Sequence, residues 1–128
     1  MKAFEIMKHV QLITLIVSLI FLPLFFILAP VIVKLVCGGT YPAAVLSLRF
    51  LLISVFFISS NAFRVQFLLV CGKTGTYSKI HMTMAAIGLP LIIILIYSFS
   101  YAGAAIATAI IEAGVFVMTY FTVKKMRF

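Results

Sequence analysis

The sequence predicts an all-α, polytopic membrane protein with four transmembrane helices. Three observations predict it. The chain of 128 residues is 66% hydrophobic and only 9% charged, with a mean hydropathy of +1.34. A soluble domain usually carries about 25% charged residues, so this chain lacks the polar groups to cover a water-facing surface. Its apolar residues fall into four stretches, each near or above the roughly 20 residues that cross a bilayer as a helix. The Lys and Arg residues cluster at alternate junctions between those stretches.

The predicted spans are 10–36, 41–70, 80–97 and 103–123, forming a single membrane domain over 1–128. Gly38, Gly39 and Pro42 separate the first from the second. Thr40 is placed to cap the second span, with Pro42 in its first turn. Gly72, Lys73, Thr74 and Gly75 separate the second from the third, and Ser98, Phe99 and Ser100 the third from the fourth. The basic stretch 1–8 looks like the start of a signal peptide. The apolar run after it is too long and has no small-residue cleavage site, so it reads as a retained span. Pro23 and Pro90 lie inside spans and mark expected kinks.

Seven of the ten basic residues, Lys2, Lys8, Lys73, Lys79, Lys124, Lys125 and Arg127, fall on one side of this four-span scheme. By the positive-inside rule that side is cytoplasmic, with both termini. Tyr41, Tyr97 and Tyr101 mark the outer interface, and Tyr77 and Tyr120 the inner one. The net charge of +8 is thereby explained by topology, and nucleic acid is not an expected partner. Cys37 and Cys71 lie at opposite ends of the second span, roughly 30 Å apart, which excludes a disulfide between them. No paired-Cys or paired-His spacing supports a metal site, and no cofactor is expected. Gly72-Lys73-Thr74 resembles the end of a phosphate-binding loop, but Phe67 stands where the required first glycine belongs. With no Asp and only Glu5 and Glu112 as acids, far apart in the chain, enzymatic chemistry has no constellation.

The candidate functional residues are the polar groups inside spans. Glu112 lies near the middle of the fourth span, where a carboxylate costs roughly 2.5 to 3.5 kcal/mol on insertion scales. It must face a wet cavity or a basic partner, or stay protonated. At about 100° per residue, Arg49, Ser54, Ser60, Asn61 and Arg64 share an arc of about 140° on the second span. Glu112 shares a face with Ala105, Thr108 and Thr119, opposite the small residues Gly103, Ala107 and Gly114, which suit close helix approach. Gln11, Thr14 and Ser18 edge the cytoplasmic half of the first span. Two readings stay open: a cavity with basic walls and one acid, or interhelical ties that line nothing. Arg49 also suits an interfacial anchor, and His81 lies near the cytoplasmic interface as a passive residue.

Three short motifs carry a resemblance. Gly38-Gly39-Thr40-Tyr41-Pro42-Ala43-Ala44 with Leu48-Arg49 is the first. Asn61 followed by Gln66, Leu68 and Gly72-Lys73 is the second. Gly103-Ala104-Ala105-Ile106-Ala107-Thr108 with Glu112 is the third. In this order they resemble bacterial O-antigen and polysaccharide flippases of the multidrug/oligosaccharidyl-lipid/polysaccharide exporter superfamily. The resemblance implies a fold of two facing helix bundles, about twelve helices in all, of which this chain corresponds to the last four. It implies movement of undecaprenyl-pyrophosphate-linked oligosaccharide, such as an O-antigen repeat, across the bacterial inner membrane. The expected partners are that lipid-linked oligosaccharide, membrane lipid and the remaining helices of a full transporter, without which the chain is not expected to act alone. Arg64, Arg49 and Asn61 would meet the substrate, and Glu112 would couple a cation. An Arg supplies a planar donor fork suited to a diphosphate. Two other readings compete: a four-span scaffold or assembly protein, and a small dimeric proton-coupled drug exporter, whose buried acid belongs in the first span.

Overall fold

A computed structural model of the chain describes residues 2–126. Arg127, one of the basic residues that set the expected orientation, lies outside them. The described residues form three helices, α1 (Lys2–Cys37), α2 (Pro42–Val70) and α3 (Thr74–Met126). All three are long and apolar enough to cross a membrane. Their surface is studded with exposed Leu, Ile, Val and Phe, such as Leu19, Ile27, Leu35 and Ile93. Water cannot solvate such a surface favourably, whereas hydrocarbon or further apolar helices can.

Three helical elements stand where four spans are expected, and the difference lies at one residue. The stretch 98–100, expected as a loop, is helical on both sides of Ser100, so the third and fourth predicted spans join in one 53-residue element. A straight helix of that length would reach about 80 Å, far beyond a hydrocarbon core of about 30 Å. Ser100 breaks it, with φ 54° and ψ −137°. The chain then turns back on itself. A Cβ on Gly103 would collide with the Leu95 carbonyl, one on Gly114 with Met84, and one on Gly88 would come within 2.6 Å of Ile111. Each pair is centred near residue 99, as an antiparallel helical hairpin requires. Ile80, Met84 and Val115 form its buried core, with Ile111 and Met118 packed against them. The second limb, after Ser100, is the better buried, with Ala102, Gly103, Ala105, Ala107 and Ala109 along its packed side.

Two other boundaries differ from expectation. α1 begins at Lys2, so the basic leader expected ahead of the first span is its first two turns. Thr40 does not cap α2; Tyr41 holds the cap position without a side-chain hydrogen bond, and Pro42 occupies the first turn. The helix ends follow glycine. Gly38 closes α1 at φ 70°, its N–H donating to the Lys34 carbonyl at 3.0 Å. Gly72 closes α2 at φ 71°, with Lys73 N–H on the Leu68 carbonyl and Gly72 N–H on Leu69. That double bond satisfies two carbonyls the helix end would otherwise orphan.

α2 is the central element and touches both α1 and α3, which do not pack backbone to backbone. It runs antiparallel to α1. Phe4 meets Phe67 at 5.5 Å between ring centroids, Gln11 bonds the Ser60 carbonyl, and Arg49 bonds the Phe26 carbonyl. Its other side packs on the second limb of α3, where Phe57 meets Phe116. The start of α1, the end of α2 and the end of α3 therefore gather at one end of the molecule. Lys2, Lys8, Lys124 and Lys125 belong to these segments, while Lys73 follows the end of α2 and Lys79 lies near the start of α3.

Candidate functional site: a basic cleft beside Arg64

The polar arc expected on α2 is divided between two neighbours. Arg49 faces α1. Its Nε donates to the Phe26 carbonyl at 3.3 Å, and its guanidinium lies 4.9 Å from the Phe26 ring centre. Arg64 faces the second limb of α3, stacked 4.6 Å from the Phe116 ring and 5.3 Å from the Tyr120 ring. Fifteen residues of helix place the two arginines about 22 Å apart along α2. They do not form one site. Arg49 acts as a tie between α1 and α2.

Asn61 joins Arg64 on the α3 side. It is buried, and its Nδ2 donates to Thr119 Oγ1 at 3.4 Å. Three side-chain atoms here are buried without a hydrogen-bond partner: Ser60 Oγ, Asn61 Oδ1 and Arg64 Nη1. They lie within little more than one turn of α2. Native interiors satisfy nearly all such atoms, so three together need a physical reason. Other hydroxyls in the chain show the ordinary solution. Ser47, Ser54, Thr108 and Thr122 each bond the carbonyl four residues earlier in their own helix.

A cleft of about 210 Å³ opens beside Arg64. α1 contributes Lys8 and Gln11, α2 contributes Arg64, and α3 contributes Tyr120 and Lys124. Three cations from three helices thus line one space, and among the described residues no acid lines it. Lys8 and Lys124 are exposed, whereas Arg64 is half-buried. Lys8 also lies 5.5 Å above the Phe4 ring. Gln11 spans from the cleft wall to the Ser60 carbonyl at 3.1 Å, fixing α1 to α2 at this level. A larger cleft, about 370 Å³, lies between α1 and α2 near Pro23 and Phe26. Its walls are almost wholly apolar, and neither Arg64 nor Glu112 reaches it.

Glu112 lies on the second limb, half-buried. Glu112, Phe116 and Tyr120 are spaced by four residues and so follow one another along a helical stripe. Arg64 occupies the lower two rungs of that stripe, and the carboxyl is the next rung away from the cleft. His81 lies on the first limb of the hairpin, across from the limb that carries Glu112. His81 Nδ1–H donates to the Tyr77 carbonyl of its own helix at 3.1 Å, and its ring lies against Tyr77.

Sequence reasoning put Arg64 and Asn61 on one arc of the second span together with Arg49, without saying which helix faces it; both lie against the second limb of α3. It missed Lys8, Lys124 and Tyr120, which were assigned to topology and to an aromatic belt. Helical periodicity treats one helix at a time, and convergence of three helix ends is a tertiary fact. No protein-family model matches the chain, and no curated protein or solved structure matches it either.

Proposed function

We propose that the chain is the C-terminal membrane portion of a flippase for lipid-linked oligosaccharide, with a polyprenyl diphosphate as the anionic handle of its cargo. The observation that carries this reading is Arg64, a guanidinium held against helix packing with Nη1 buried and without a hydrogen-bond partner among the described residues. A purely structural buried cation is usually neutralised, because an unpaired one costs several kcal/mol. Glu112, the acid on the second limb of α3, stands a rung away, and Glu5, in the first turn of α1, does not line the cleft. Arg64 is thus free to meet an anion that arrives and leaves. In this reading α1, α2 and the two limbs of α3 each cross the membrane, the basic end faces the cytoplasm, and the exposed helix faces meet lipid and the remaining helices of the transporter. The three motifs quoted above support the same family.

Glu112 serves ion coupling in this reading. Its separation from Arg64 by about one turn permits a change of partner: Arg64 on the cargo diphosphate, or Arg64 towards Glu112. The test is surface polysaccharide in cells that depend on this chain. Glu112→Gln and Arg64→Ala should each abolish export while the protein stays folded and inserted. Loss of folding or assembly with either variant would instead favour a scaffold, in which these residues hold helices together.

A further inference from the structure

We propose that the cleft lined by Lys8, Arg64 and Lys124 binds the phosphate of a lipid headgroup at the membrane surface. The inference stands apart from transport, since a resident phospholipid would satisfy it as well as a cargo lipid. Four observations on the site converge.

The first is the source of the charges. Lys8 comes from the second turn of α1, Arg64 from the interior of α2 and Lys124 from the end of α3, yet all three line one cleft. Topological signals need only lie on the correct side of the membrane and have no reason to converge. The second is the absence of a counter-charge: no Asp or Glu lines the cleft. Glu5 sits on an exposed side of α1 and does not line the cleft. The three cations thus share a cleft that neither acid of the chain lines, and a bound anion would supply the counter-charge. The third is Arg64 Nη1, buried without a hydrogen-bond partner on the one α2 residue that lines the cleft. The fourth is size and setting. The volume of about 210 Å³ corresponds to roughly seven waters' share of liquid, room for a phosphate group. The cleft lies towards the end of the molecule where the start of α1 and the ends of α2 and α3 gather, which the topology proposed above puts near the lipid headgroups, and Phe4, Met7 and Val123 give it an apolar rim. A free inorganic anion would gain the charges alone. A lipid phosphate gains the charges and keeps its chains against the exposed apolar faces of α1 and α3.

The chemistry is shared by two sources, a bilayer glycerophospholipid and a polyprenyl diphosphate. The purified chain in phosphatidylcholine nanodiscs would be titrated calorimetrically with dihexanoyl-phosphatidylglycerol, with farnesyl diphosphate and with inorganic pyrophosphate. At least one of the two lipids should bind. Arg64→Gln should weaken that binding about tenfold or more, as expected for loss of a charge-assisted hydrogen bond. Lys8→Gln and Lys124→Gln, both exposed positions that do not threaten folding, should each weaken it about fivefold. Lys73→Gln, a lysine at the same end but outside the cleft, should leave it within about twofold. Preference for phosphatidylglycerol would name a bilayer phospholipid, and preference for farnesyl diphosphate would name an isoprenoid carrier; both support the site. Binding of neither lipid, or of pyrophosphate alone, would overturn the proposal. So would a Lys73→Gln effect as large as that of Lys124→Gln, which would mean general surface charge.

Discussion

Replacing Arg64 by Met separates a functional cation from a structural one. Met keeps most of the apolar stem and removes the charge. The stacking on Phe116 and Tyr120, at 4.6 and 5.3 Å, is worth about 0.5 to 2 kcal/mol per ring. Against this, the buried Nη1 has no partner, which costs about 1 to 3 kcal/mol. The two terms nearly cancel, so Arg64→Met should change stability by no more than about 1 kcal/mol, in either direction. Affinity for a lipid diphosphate should fall by about 1.5 to 3 kcal/mol, or roughly 10- to 150-fold. Stability would be read from far-ultraviolet circular dichroism during titration of detergent micelles with sodium dodecyl sulfate, and affinity from the same preparation by calorimetry. A loss of more than about 3 kcal/mol in stability with binding unchanged would refute the argument. Arg64 would then be a structural cation whose partner the geometry above fails to identify.

Further outcomes follow from the packing and the topology. Gly103→Ala should destabilise the α3 hairpin by about 3 kcal/mol or more, beyond ordinary overpacking, because its methyl meets the rigid Leu95 carbonyl. Gly114→Ala should cost under about 1.5 kcal/mol by the same denaturation assay, since Met84 is flexible and can move aside. Asn61→Leu removes the bond to Thr119 and also the unpartnered Oδ1, so its stability change should lie within about 1 kcal/mol of zero, whereas Thr119→Val, which leaves the Asn61 amide orphaned, should cost about 1 to 3 kcal/mol. Cys37 and Cys71 are both free and exposed. At opposite ends of α2, they should react with a membrane-impermeant maleimide from opposite sides of oriented vesicles, Cys71 from the cytoplasmic side.

The apolar lengths, the glycine punctuation at 38 and 72, and the charge asymmetry were enough to read helical membrane character. The joint at Ser100 was not legible. Ser98-Phe99-Ser100 has the composition of a short loop, yet a helix can continue through Ser and Phe, and a single residue at positive φ reverses the chain. Composition sets neither outcome; the close approach of Gly103 to Leu95, a tertiary contact, does. The small-residue stripe at Gly103, Ala107 and Gly114 was legible as a packing face, because lack of a Cβ has one physical use there. The partner was not, since the stripe is filled by its own hairpin limb. The same limit applies to the site. Angles around α2 brought Arg49 and Arg64 onto one arc, but α1 and α3 sit on either side of that arc and each takes one arginine. Lys8 and Lys124 are more than a hundred residues apart in the chain, so only folding could bring them together.

The central claim is that this chain serves the passage of a lipid-linked oligosaccharide across the membrane. The most direct measurement is the leaflet distribution of that lipid when the chain is depleted. In spheroplasts, an impermeant glycan-modifying enzyme reports only the outward-facing pool. The account predicts that depletion traps lipid-linked oligosaccharide in the inner leaflet, and that wild-type chain but not Arg64→Ala restores the outward pool. An outward pool that is unchanged on depletion would contradict the account.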